Sequence, residues 1–155
     1  MITEFDALSE SEVELMHKAP ILVCIMVAGA DNHIDQREME EAISLAKKKS
    51  KKHKSLLKEY YTTVGEDFED KIKIIVQGFP VEAEQRNVLI MKELELINVI
   101  LPKVEKSFAI QFYESLREIA QKIAESSGGM LWMNSIGEEE AKFVSLPMIK
   151  NPAIS

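Results

Sequence analysis

The chain reads as all-α, a single domain of about seven helices, on three observations. Wherever apolar residues recur they do so at helical spacing. The clearest case is Phe108, Phe112, Leu116, Ile119 and Ile123 on one stripe, with Glu114, Arg117, Glu118, Gln121 and Lys122 off it. No stretch alternates apolar and polar as a half-buried strand does. Helix-breaking residues punctuate the pattern, with Pro20, Gly78, Pro102 and the Gly128-Gly129 pair expected at breaks or kinks. At 155 residues the chain is long enough to bury a core without disulfides or metals.

In chain order, residues 1–8 form an N-terminal arm, and Ser9 with Glu12 makes a capping box that starts a helix. Pro20 should kink that helix or restart it. Beyond it Ile21, Leu22, Cys24, Ile25 and Ala28 give a wide apolar face, as expected of a central element. After a turn, Met39, Ala42, Ile43 and Ala46 mark a second helix that runs into the basic stretch Lys47 to Lys54. Leu56, Leu57, Tyr60, Tyr61 and Val64 predict a short helix. Phe68, Ile72, Ile75, Val76 and Phe79 predict another, ended by Gly78 and Pro80. From Val81 to Leu101 the pattern becomes apolar on most sides, which predicts a helix buried against several neighbours and stopped at Pro102. The helical domain spans 9–146. Residues 147–155, with Pro147 and Pro152, make an extended tail, either laid in a groove or free.

The turn within Val27 to Leu45 is the most informative stretch. Ala28 to Ala30 closes an apolar run, Asn32 suits the left-handed backbone of a helix exit, and Asp35 with Glu38 fits another capping box. Ile34 pins the loop to the core and leaves Asp31, His33 and Asp35 outward. Ala30, Asp31, Ile34, Asp35 and Glu38 together resemble the Ala-Asp-Gly-x-Ile-Asp-x-x-Glu signature of the tellurite-resistance TerB family, with Asn32 where the family usually has Gly. The resemblance implies an all-helical, non-catalytic binding module of bacterial stress response, built from two similar halves that each contribute an acidic loop. Ile136 to Glu140 aligns with Ile34 to Glu38 as a looser second copy, with Gly137 at the cap position and no aspartates.

Two ligands suit the acidic turns. One is a hard divalent cation, calcium, magnesium or manganese, held weakly by Asp31, Asp35, Glu38 and Glu41 with Glu138, Glu139 and Glu140 from the second loop. The other is a basic partner. Capping alone also accounts for Asp35 and Glu38, whereas Asp31 precedes the cap and is not needed for it. An EF-hand is excluded, because its sixth position is Gln36 instead of Gly and its twelfth is Ala42 instead of Glu. The alternative is an interaction or scaffold protein. It would act through Met130 and Trp132 of an apolar loop, or through Lys51 and Lys52 of the basic run, on a protein partner or a membrane surface.

Charge narrows the remaining classes. A net charge of −7 argues against nucleic acid, which needs surplus cations to release counterions. The basic run nevertheless holds six of the 19 Lys and Arg residues, so charge is segregated along the chain. The longest uncharged stretch, Ala19 to Ala30, has 12 residues against the ~20 of a membrane span, and MITEFD does not read as a signal peptide. One cysteine, Cys24, in an apolar run reads as a buried hydrophobe in a reducing compartment, so a cytoplasmic protein is expected. His17, His33 and His53 are dispersed. With no His-Glu-x-x-His, no phosphate loop and no His at nucleophilic spacing from Cys24, no catalytic role is expected.

Overall fold

The computed structural model describes residues 5–28, 44, 48, 57–128 and 145–154, and these are all-helical, with no strand among them. The helices are α1 (Glu10–Ala28), α2 (Lys58–Gly65), α3 (Phe68–Gln77), α4 (Ala83–Glu95), the single turn α5 (Ile97–Ile100) and α6 (Lys106–Gly128). A 3-10 turn, Leu101–Lys103, joins α5 to α6.

The capping box at the head of α1 forms in both directions. Ser9 Oγ accepts from the Glu12 amide at 3.2 Å, and Glu12 Oε1 accepts from the Ser9 amide at 2.9 Å. α1 then runs through the middle of the described residues, packed against each of the helices α2 to α6. Ala19 and each residue from Ile21 to Val27 are at most 2% exposed, the outcome expected of a helix apolar on all sides. Cys24 lies in this segment. Burial pushes its thiol up to about 12, so at neutral pH it stays protonated and serves as a small apolar filler.

Pro20 neither ends nor restarts α1, which is continuous from Glu10 to Ala28. Proline has no amide hydrogen, so the Met16 carbonyl one turn earlier loses its helical donor in a place water does not reach. The Tyr60 hydroxyl of α2 supplies it, donating to Met16 O. Tyr60 is wholly buried, and burial holds its phenol well above the ordinary range, so it remains a donor. Its ring packs edge-on to Phe5, Tyr61, Phe108 and Phe112 at centroid distances of 4.8 to 6.1 Å. Tyr61 Oη lies 2.8 Å from Ser115 Oγ, which donates onward to Phe112 O at 2.7 Å.

Elsewhere the predicted stripes are met. Tyr60, Tyr61 and Val64 of α2, Phe68 and Ile72 of α3, and Phe108, Phe112, Leu116, Ile119 and Ile123 of α6 are buried. Gly78 caps α3, and Pro102 falls in the 3-10 turn. Phe5, in the predicted arm, is 1% exposed, inserted among His17, Tyr60 and Phe108. Leu146, at the end of the predicted domain, and Met148 and Ile149, in the predicted tail, join the core.

The segment Val81 to Leu101 departs from its expectation. It is broken at Leu96 between α4 and α5 and is buried along one face only, by Ile90, Leu94, Ile97, Ile100 and Leu101. Val88, Leu89, Leu96 and Val99 are 42 to 60% exposed. Two apolar stripes share this segment, and the rest of the fold covers just one of them.

Candidate functional site

The stretch from the end of α4 to the 3-10 turn runs antiparallel to α1, as two ion pairs show. Lys18 Nζ meets Glu93 Oε1 at 3.0 Å, and Lys103 Nζ meets Glu12 Oε2 at 2.7 Å, so partners rise along one element as they fall along the other. Lys103, followed by Ser9, holds the Glu12 carboxyl below the usual carboxylate range. The Lys18–Glu93 pair is half-buried and the Lys103–Glu12 pair more open, and each links the two walls.

Between the walls opens a groove of about 380 Å³. Leu15 and Ile100 form its apolar floor, Leu96 and Val99 its exposed apolar edge, and Glu14 and Glu93 part of its charged rim. Leu96 is 56% and Val99 60% exposed. Glu10, Glu12 and Glu14 all lie in the first turns of α1, and Glu93 and Glu95 lie at the end of α4. Of these, Glu12, Glu14 and Glu93 line the groove together with Lys18, and Glu14 is the carboxylate beyond the two that the lysine pairs engage. An apolar trough with acidic banks can hold an amphipathic segment whose apolar face enters the floor and whose flanks are basic.

Asp31, Asp35, Glu38, Glu41, Glu138, Glu139 and Glu140, and likewise Met130, Trp132, Lys51 and Lys52, lie outside the described residues. Among the described residues no three His, Cys, Asp or Glu side chains converge as metal ligands, and no helix is long and apolar enough to cross a membrane. With Lys18 opposite Glu93, Arg86 lies two turns back along α4, level with the last turns of α1. It is 3% exposed, and its guanidinium donates to Val81 O at 3.0 Å.

No family model, curated protein or solved structure matches this chain. The groove stands on its geometry and the acidic turn on its nine-residue resemblance.

Sequence reasoning missed the groove although its signal was present. Leu89, Leu96 and Val99 fall at i, i+7 and i+10, one helical stripe, while Ile90, Leu94, Ile97 and Leu101 fall at i, i+4, i+7 and i+11, another. A helix with two such stripes needs two partners. His17 was also missed as a packed residue. It is half-buried, edge-on to Phe5 at 5.5 Å and stacked on Tyr60 at 5.8 Å, and burial first, then the Lys71 charge, lowers its pKa from 6.5.

Proposed function

We propose that this chain is a non-catalytic helical binding module that docks a basic, amphipathic segment of a protein partner between α1 and α4–α5. The observation that carries this reading is the exposed pair Leu96 and Val99 at the edge of an acid-rimmed groove. Exposed apolar area bordered by charge is what an interaction site presents before its partner arrives. A labelled amphipathic helical peptide with leucines on one face and lysines on the other is the probe. It should bind saturably, weaken in high salt and lose at least tenfold in affinity with Val99→Glu. Equal binding by the wild type and by Val99→Glu sinks the groove reading.

The TerB-like resemblance supports a second activity of the same module, in bacterial stress response and in a cytoplasmic setting. In that reading the bundle has about seven helices in two similar halves. Asp31, Asp35, Glu38 and Glu41, with Glu138, Glu139 and Glu140, hold calcium, magnesium or manganese. The supporting observation is Asp31, a carboxylate beyond what the Asp35 cap requires. Millimolar calcium or manganese should then raise the melting temperature, and Asp31→Asn should abolish the gain. If neither ion shifts the wild type, the acidic turn is structural.

A further inference from the structure

Seven large apolar side chains are exposed among the described residues, and five of them, Val81, Val88, Leu89, Leu96 and Val99, belong to one stretch of chain. Leu96 and Val99 edge the groove, whereas Val88 and Leu89 do not line it. On α4, the exposed residues Gln85, Val88, Leu89 and Lys92 fall at i, i+3, i+4 and i+7, which makes one continuous face. Ile90 and Leu94, on the other side of the helix, are buried in the core. α4 therefore carries a second apolar face, distinct from the groove, that the described fold leaves in solvent.

The pattern of this face reads the same from either end. Val81, Val88, Leu89 and Leu96 stand at i, i+7, i+8 and i+15, symmetric about a point between Val88 and Leu89. Two copies related by a two-fold axis must meet through a patch that complements itself, and this spacing meets that condition. With a second α4 laid antiparallel and the axis at that point, Val88 and Leu89 meet their own counterparts, and Leu96 comes level with Val81 of the second copy. Lys92 comes level with Gln85 of the second copy and beside its Glu84, and symmetry makes this contact twice. Neither Lys92 nor Glu84 has an ion-pair partner among the described residues. A parallel arrangement would instead set Lys92 against Lys92, and a lone lysine in an apolar helix seam selects against such a pairing.

We infer that the outer face of α4 is the contact of a homodimer, in which α4 packs antiparallel on α4 of a second copy through Val88 and Leu89, with Lys92 of each copy beside Glu84 of the other. The 13 residues of α4 span about 20 Å. One helix face of that length is small beside the roughly 800 Å² per partner of standard interfaces, so the dimer forms and dissociates with concentration. Val99 lies beyond the end of the seam and stays open. The two grooves then sit at opposite ends of the dimer, and the dimer itself does not rest on the groove reading.

Sedimentation velocity of the full-length chain, from low to high micromolar concentration, is the test. The apparent mass should rise from one chain towards two, and Leu89→Glu should hold the chain monomeric throughout. Lys92→Glu and Glu84→Lys should each weaken the dimer about fivefold, since each change acts twice, and together they should restore it to within about twofold of the wild type. The two positions are two turns apart within one chain, so that rescue acts between copies. Mild oxidation should link Leu89→Cys chains in pairs and leave Val99→Cys chains single, the native Cys24 being buried. Circular dichroism checks that each variant is folded. If Leu89→Glu fails to fold, the charge exchange on the exposed Lys92 and Glu84 decides, and a dimer indifferent to both single changes overturns the inference. A wild type that stays monomeric at every concentration overturns it, as does a dimer that survives Leu89→Glu or links through Val99→Cys in preference to Leu89→Cys. The folded Leu89→Glu chain should still bind the leucine–lysine peptide of the groove test, so loss of the dimer and loss of the groove are read separately.

Discussion

The second half of α1 and the run Leu94 to Leu101 are both mostly apolar and meet opposite fates. Ala19 to Val27 is closed in on every side, whereas Leu94 to Leu101 buries one stripe and leaves Leu96 and Val99 in solvent. Apolar content reports how much surface would gain by leaving water, and the number of neighbours decides how much of it does. α1 is surrounded because five later helices pack on it. α4–α5 lies at the periphery, and its second stripe is left for something outside the described fold.

The sharpest way to break this contrast is to truncate both segments. Ile25→Ala should cost about 2–5 kcal/mol, because it opens a cavity in a region with no slack. Val99→Ala should stay within about 0.5 kcal/mol. Chemical denaturation of the two variants measures both, and equal costs would mean that Val99 is covered in solution.

A smaller effect tests how α1 tolerates its proline. Tyr60→Phe leaves the Met16 carbonyl buried without a donor, and the loss should be about 1–3 kcal/mol. In a Pro20→Ala background the alanine amide restores the helical bond, so the same Tyr60→Phe change should cost less. The two losses, compared in a double-mutant cycle, should differ by more than about 0.5 kcal/mol.

The smallest effect lies where α1 is only half-buried. The folded-state pKa of His17 is lowered, so the unfolded chain binds a proton more readily between that value and 6.5. The His17 contribution is complete above pH 6.5 and falls away as pH drops below it. His17→Phe keeps the aromatic contacts with Phe5 and Tyr60 and removes the titration. Its melting temperature should therefore decline less than that of the wild type between pH 7 and pH 5.

The parts of the fold that local chemistry decides were readable in advance. The Ser9–Glu12 box, the stop at Gly78 and the α6 stripe each depend on residues within a few turns of one another. What escaped depends on distant partners. Nothing near Phe5 marks it as a core residue, since its neighbours His17, Tyr60 and Phe108 are scattered along the chain. Asn98 looked like a lone polar residue in an apolar run until the tail 50 residues later supplied its two backbone partners. The groove was half legible, because the Leu89–Leu96–Val99 stripe was visible but its exposure was not. The acidic turn was legible as a motif, and its residues lie outside the described ones.

The bond between Tyr60 and Met16 also bears on how the chain is made. The two residues are 44 positions apart. At the ~5–20 residues per second of synthesis, roughly 2–9 s separate their appearance from the ribosome. Throughout that interval the helix that will form the centre of the core carries a carbonyl whose buried donor comes from a later helix. α1 therefore cannot mature alone, and its completion waits for α2. Tyr60→Phe should accordingly slow refolding as well as weaken the final state if this contact forms early, and should only speed unfolding if it forms late.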